Sequence, residues 1–443
     1  MCALRSERAT ANWLQEKSAL GELLKYDFAE MPLMQLYRAS DRLLESKKLI
    51  EQKVFERVQD LFSFTPTITL YDLTNTYMEG NAEGNPKEKR GRSKEKRSDC
   101  PLITLGLTLD ASGFIRHSQV FDGNVSEGST LEEMLKQLHA PAGALIIMDA
   151  GIASEENLEW LTLNKYHYLV VSRERKRAIE MEKTSVIESA GGHQIHLQRQ
   201  PGQHKGEVKI ACWSEQRVMK DKSINTSFRE KYERELNKIN EGLHKPRTTK
   251  KRDPINQRIG RLKEKYKRVS SHYQINLKTN EATGLVTELT WDYQPEPANK
   301  PTHPGVYKLR VTLTVRDDKT LWKTYIMLTD LESVFRSLMS ELGMRPVDHH
   351  EEDRCDGHLF ITVLAYQAVQ VIRRKLKDHG INESWATLRE KLNQQCRITA
   401  TFKQRDGKTL HIRQASRPEE ELGEIYKKRG RSPEPGGLQR VRI

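Results

Sequence analysis

The stretch TITLYDLTNTYMEG, residues 67–80, sets one carboxylate, Asp72, inside an otherwise apolar and β-prone run. Pro66 stops whatever precedes it, and Thr67, Ile68, Thr69, Leu70, Tyr71 and Leu73 are mostly β-branched, aromatic or aliphatic, which suits a buried strand. Asp72 is therefore expected inside a sheet. An unpaired carboxylate in that setting is costly or takes up a proton, so it needs a cation, a metal or a hydrogen-bond donor. A satisfied core or turn aspartate is the plainer reading of this stretch taken alone, because acids in unusual surroundings mark functional sites only statistically.

Downstream, residues 87–97 hold seven Lys or Arg against two Glu, with Gly80, Gly84 and Gly91 around them. This reads as a mobile basic loop that either follows a phosphate backbone or is a solvated charge run. Its candidate contacts are Lys89, Arg90, Arg92 and Lys94. The runs PLITLGLTL (101–109) and FIRHSQVF (114–121) flank Asp110-Ala-Ser-Gly113 and predict a hairpin. Leu131, Met134, Leu135 and Leu138 keep helical spacing, and ALIIM (144–148) is a short apolar strand that ends on Asp149. Ser154 is placed to cap a helix running to Leu163, and YHYLVVS (166–172) reads as a fifth strand. The order strand, hairpin pair, helix, strand, helix, strand is the ribonuclease-H-like arrangement. In open α/β sheets sites form at the carboxyl ends of strands where the topology switches, so Asp72 and Asp149 are expected to meet although 77 residues separate them.

From 173 to 302 the character changes to strands at 194–199, 207–213, 272–277 and 285–293 around a highly charged helical stretch that runs to 242, which reads as a β-rich insertion. Within it, residues 245–268 carry eleven Lys or Arg against Asp253 and Glu264, a net +9 over 24 residues. A solvated helix would alternate its charges, so phosphate contact is favoured here, through Lys250, Lys251, Arg252, Arg258, Arg261 and Lys263. Tyr266, Tyr273 and Trp291 suit stacking on a splayed base, but local core is the commoner use of such aromatics.

The chain returns to strand at 304–313, and residues 319–342 predict a long helix. Glu332 is adjacent to its apolar stripe and on pattern alone is a surface acid. Need argues otherwise, since two aspartates do not complete a two-metal cage and a third carboxylate should come from a helix packed on the sheet. In DHHEED (348–353) neighbouring side chains diverge, so it reads as a loop and not as a metal site. Residues 359–376 predict a helix buried on the core. From 403 a hairpin-like QRDGKTLHIR precedes the Pro- and Gly-rich basic stretch RGRSPEPGGLQRVRI, expected to be flexible. Residues 1–65 form a helical lead-in whose abrupt opening suggests either a missing upstream region or a compact start.

Composition bounds the partners. A chain of 443 residues with net charge +13 and pI near 9.3 calls for an anionic partner, most simply nucleic acid. The longest uncharged run, 359–372, has 14 residues, short of the roughly 20 that span a membrane. No signal peptide is read at the start. Cys2, Cys100, Cys212, Cys355 and Cys396 form no CxxC pair, which argues against zinc and fits a reducing cytosol. The expected fold is α/β: a ribonuclease-H-like mixed sheet flanked by helices and interrupted by a β-rich insertion. Its divisions are a helical segment at 1–65, core at 66–172, insertion at 173–302, core with the long helix at 303–402, and a hairpin and tail at 403–443.

LYDLTNTYMEG around Asp72, IIMDAGIASEENLEWL around Asp149 and LWKTYIMLTDLESVFRSLMSELGMRPV around Glu332 together resemble DDE transposases of bacterial insertion sequences. GRSKEKRSDCPLITLGL, FDGN (121–124) and RIGRLKEK (258–265) are similar to the branch whose core carries a β-rich insertion before the Glu. The resemblance implies that Asp72, Asp149 and Glu332 are catalytic and hold two Mg²⁺ ions, with Mn²⁺ as a substitute, for cleavage and strand transfer of DNA. It implies double-stranded DNA as partner, both element ends and target, and a homodimer in a synaptic complex without a membrane. On the catalytic helix that branch has Tyr, Arg, Glu and Lys; here Tyr325 and Glu332 fit, while Leu328 and Met339 stand at the two cationic positions. Tyr325 and Arg336 are this helix's candidate DNA contacts. A Lys at 339, two turns from Glu332, would share its face, so Met339→Lys is expected to speed cleavage. The rival readings are a DNA-binding remnant without catalysis and a ribonuclease-H-like nuclease for branched or hybrid nucleic acid.

Overall fold

Residues 6–18, 20–24, 26–28, 31–62, 68–78, 84–91, 99–138, 140–174, 178–189, 192–294, 304–434 and 436–442 are described by the computed structural model; the side chains at 22–23, 61–62, 328–333 and 441–442 are not. The chain opens with four helices, α1 (Glu7–Glu16), α2 (Leu20–Leu24), α3 (Leu33–Glu45) and α4 (Lys47–Phe62). Next come β1 (Ile68–Tyr77), β2 (Leu102–Leu109), β3 (Ile115–Asp122), α5 (Leu131–Leu138), β4 (Leu145–Met148), α6 (Glu155–Leu163) and β5 (His167–Val171). The middle of the chain forms β6 (Ser185–Glu188), β7 (Gln194–Pro201), β8 (Val208–Ser214), α7 (Glu215–Leu243), α8 (Arg252–Lys265), α9 (Lys267–Ser270), β9 (Tyr273–Thr279), β10 (Val286–Tyr293) and β11 (Val306–Val311). After these follow α10 (Asp318–Arg336), α11 (Glu352–Lys377), α12 (Trp385–Asn393), β12 (Arg397–Lys403), β13 (Thr409–Ala415), α13 (Glu420–Lys428) and β14 (Gln439–Arg442).

The chain divides into two compact units, residues 1–170 with 322–443 and residues 171–321. In the first the strands run β3-β2-β1-β4-β5. The β2–β3 hairpin and the β1–β2 pair are antiparallel, whereas β1–β4 and β4–β5 are parallel. This is the mixed sheet the sequence predicts. Every residue of β2 and of β4 is buried, as in strands covered on both faces. One face packs Tyr71, Leu73, Ile146, Met148 and Tyr168 against Leu131, Met134 and Leu135 of α5 and Leu158 and Leu161 of α6. Each fully buried aliphatic or aromatic side chain there contributes on the order of 1.5–3 kcal/mol.

The helical lead-in is tied to this unit. A Cβ on Gly357 of α11 would stand 2.5 Å from the Ser40 Oγ of α3, so a larger residue there would make the Ser40 hydroxyl move. Arg354 pairs with Asp41 at 2.9 Å, and Nε2 of His349 lies 3.0 Å from Glu7 Oε1. The stretch expected as a loop at 348–353 thus gives its last two residues to the first turn of α11. By length and composition α11 is apolar enough to cross a membrane, yet half of its apolar window is buried inside the unit, which is how a core helix behaves.

Two expectations change. The helix predicted over 319–342 leaves the α form at Arg336 and continues as a π turn, Ser337–Glu341. Residues 439–442 are not a flexible tail: β14 pairs with β13, from Leu410↔Arg442 to Arg413↔Gln439. The open edge of β13 supplies that ladder, a long-range partner that the Pro/Gly-rich composition does not reveal.

The second unit holds an antiparallel sheet in the order β11-β8-β7-β6 and a separate β9–β10 hairpin. Tyr232, Leu236, Ile239 and Leu243 of α7, Ile255 and Ile259 of α8, and Val286 and Leu289 of β10 make a small core of their own around that hairpin.

Candidate active site

Strands β1 and β4 run in parallel with Ile68↔Leu145 through Tyr71↔Met148 in register. Asp72 follows the last registered residue of β1 and Asp149 follows the last residue of β4, so both acids come just after the paired segment. Neighbouring strands lie about 4.8 Å apart, and successive side chains alternate faces. Tyr71 and Met148 point into the core shared with α5 and α6, so Asp72, the next residue of β1, belongs to the other face. Asp72 is half-buried and Asp149 exposed, as expected for one acid inside a strand and one just past a strand's carboxyl end.

The Asp149 loop is held locally. Its Oδ1 accepts the N–H of Gly151 at 2.7 Å and of Ile152 at 3.1 Å, which leaves Oδ2 without a hydrogen bond from the described residues. Ser154 then caps α6 by accepting the N–H of Asn157. Asp72 Oδ1 takes the N–H of Leu73 at 2.7 Å. A third acid, Glu127, approaches from the turn before α5: a Cβ on Gly151 would meet its Oε2 at 2.4 Å and Asp149 Oδ1 at 3.0 Å. Nothing in the SEGST stretch signals that carboxylate, because it comes close only through the fold. Beneath the pair, the Tyr71 hydroxyl shares a 2.6 Å hydrogen bond with Thr130. Burial pushes its pKa up strongly, with the Asp72 charge adding to the rise.

Helix α10 packs on the Asp72 face. A cavity of about 390 Å³ is lined by Leu70, two residues before Asp72, by Met327 and Val334 of α10 and by Tyr366 of α11. Glu332 lies in α10 between Met327 and Val334, and its side chain lies outside the described residues. Among the described residues no three of His, Cys, Asp and Glu come together as a metal-binding group. Among the described residues the acids named here, Asp72, Asp149 and Glu127, offer carboxylate oxygens, the donor type that hard divalent ions take.

Of the other candidates, Tyr325 is half-buried on α10 and Arg336 exposed at its end. Met339 is buried, 8 % exposed, inside the π turn. A buried side chain there does not line an open groove, contrary to the expectation for position 339, and the π turn departs from ideal helical spacing. Lys89 and Arg90 are exposed on a segment clipped to the sheet: Lys89 exchanges backbone hydrogen bonds with Leu102 at 3.1 and 2.9 Å. The FDGN motif serves that clip, since a Cβ on Gly123 would meet Leu102 O at 1.9 Å and Lys89 O at 2.6 Å. Lys87 is spent on Asp356 and Glu352, at 2.6 and 2.8 Å. Arg92 and Lys94 lie outside the described residues.

The second unit carries the remaining cations. Lys250 is half-buried, and Lys251, Arg252, Arg258, Arg261 and Lys263 are exposed along α8. Tyr266 and Tyr273 are core residues, not presented for stacking on a base, and Trp291 is half-buried against the same core.

Residues 63–367, more than half of the chain, match the transposase DDE domain family. Among solved structures, the piggyBac transposase synaptic complex with hairpin DNA is 12 % identical, with a TM-score of 0.32 over 78 % of this chain and 57 % of that one. The Mos1 transposase paired-end complex with left transposon end is 10 % identical, with a TM-score of 0.17 over 38 % and 58 %. This chain thus spans less than two thirds of either, and no curated protein matches it. The domain match alone places the chain, and on it the protein belongs to the transposase DDE domain family, a family of DNA-transposition enzymes.

Proposed function

We propose that the chain is a transposase that binds the ends of an insertion sequence, cleaves DNA there and joins the ends to a target, with Asp72, Asp149 and Glu332 as its catalytic carboxylates. The observation that supports this most is the parallel β1–β4 register, which runs up to the residue before each of two acids distant in sequence. Two carboxylates brought close repel each other unless a cation lies between them. The three acids would hold two Mg²⁺ ions, or Mn²⁺, which when bound supply an activated oxygen nucleophile and stabilise the leaving 3′ oxygen in an in-line displacement at phosphorus. The chain's own part is orientation. The Gly151 and Ile152 amides fix Asp149 through Oδ1, and the buried Tyr71–Thr130 pair backs the strand that carries Asp72. Double-stranded DNA is the partner in this reading, with a homodimer bridging two ends, and α8, Lys89, Arg90, Tyr325 and Arg336 are the phosphate contacts.

The test is nicking of supercoiled plasmid by the full chain in Mg²⁺. Asp72→Asn and Asp149→Asn are expected to lower the rate about a hundredfold or more, since metal ions contribute several kcal/mol of transition-state stabilisation. Plasmid binding should stay near wild type. Mg²⁺ should also raise the melting temperature of the wild type and not of either variant. Asparagine keeps an Oδ1 for the Gly151 and Ile152 amides, so the Asp149 loop survives the change. Unaltered nicking by either variant removes that acid from the site, and plasmid binding without nicking by the wild type favours a DNA-binding remnant.

A further inference from the structure

Helix α8 is buried along one side only, through Ile255 and Ile259. Its outermost ridge, opposite them at 3.6 residues per turn, is Gln257, Gly260 and Glu264, all exposed, with Asp253 in the first turn where an acid suits the helix dipole. The cations stand on the two shoulders of that ridge, Arg252 and Lys263 on one side, Arg258 and Arg261 on the other. Among the described residues the side chains of these four make no ion pair or hydrogen bond, even where Glu264 follows Arg261 by one turn. Neighbouring α7 behaves differently, its Arg217, Arg229 and Lys238 pairing with Asp221, Glu233 and Glu235.

A helix that only follows a phosphate backbone should lead with its cations, and an acid on the leading ridge would be repelled. Cations on both shoulders of a neutral and acidic ridge suit a helix seated in the major groove instead. That groove, about 12 Å wide, admits one helix, and its two walls are the phosphate backbones. Gln matches the adenine edge, and Glu accepts from the cytosine amino group. Gly260 fits the same placement. Glycine weakens an exposed helix interior, and a Cβ there would meet nothing within 4 Å, so no contact inside the protein calls for it.

We propose that α8 is a major-groove reading helix: its shoulders hold the phosphates, Gly260 permits close approach, and Gln257 and Glu264 select base sequence. This rests on the reading of the chain as a DNA-acting transposase. The experiment is selection by the full chain from a pool of duplexes with a randomised centre, beside salt titrations of binding. The wild type should enrich a sequence motif. Gln257→Ala and Glu264→Ala should each relax preference at one position, by about tenfold, with the salt dependence unchanged. Arg258→Ala and Lys263→Ala should weaken binding to all duplexes alike and flatten the log–log salt slope by about 0.9 each. Gly260→Ala should raise the melting temperature and weaken binding to the enriched motif. Salt-dependent binding with no motif, or a motif that Gln257→Ala and Glu264→Ala both leave intact, overturns the inference while sparing the transposase reading. A wild type that binds no duplex overturns both.

Discussion

Asp72 lies in β1 and Asp110 just past the end of its neighbour β2, and their surroundings differ. Asp110 is 3 % exposed, and its Oδ1 accepts the N–H of Ser112 and of Phe114, closing the β2–β3 turn. Its Oδ2 is buried with no hydrogen-bond partner among the described residues. Burial raises its pKa above the ordinary value, against the lowering by those two backbone amides and the charges of Arg116 and Arg374. For an acid whose folded pKa is raised, stability is fully present below the unfolded pKa near 4 and is lost as pH rises through the folded one. Asp110→Asn removes that ionisation and keeps an acceptor for both amides. The variant should therefore melt higher than the wild type at pH 7, with the gap closing toward pH 3. A gap of the same size at both pH values would show that the buried charge is not what costs stability. Asp72 is only half-buried, and no such gain is expected from it.

At the scale of elements, the strand order was legible because each strand of the first unit carries its own local signal: apolar runs, a Gly-bearing turn, an acid at a strand end. The expectation that Asp72 and Asp149 approach each other rested on topology alone, and the parallel β1–β4 pair with an acid at the end of β4 is consistent with it. What was not legible depends on partners distant in sequence, such as the edge of β13 that recruits β14 and the turn that brings Glu127 toward Gly151. Met339 fails for a third reason. Spacing counts residues on an ideal helix, and the π turn inserts one extra residue per turn in just that segment. A Lys buried there without a partner should cost several kcal/mol, where Met339→Leu, which keeps volume, should cost under about 1.5 kcal/mol. The expected result is a large drop in melting temperature for Met339→Lys with no gain in cleavage, and near-wild-type melting for Met339→Leu. Faster cleavage by a well-folded Met339→Lys would restore the shared-face expectation.

Across the whole molecule the positive charge is unevenly placed. Of the net +13, residues 245–268 carry +9, leaving +4 on the other 419 residues. Part of that charge works against the local fold. Lys251 is the N-cap of α8 and Arg252 its first residue, and cations at a helix N-terminus oppose the dipole by about 0.3–1 kcal/mol each. Neither forms an ion pair among the described residues, so nothing inside the protein repays that cost. Charge reversal at Lys250, Lys251 and Arg252 should then move two quantities in opposite directions. Glu at the start of α8 should raise the melting temperature slightly. DNA affinity should fall, and its log–log salt slope should flatten by up to about 2.7, three phosphate contacts at about 0.9 each. A solvated charge run predicts the first change without the second. Salt titrations of duplex binding, run beside thermal melting of the same triple variant, tell the two apart, and a steep slope that survives the reversal would place the phosphate contacts elsewhere on the chain.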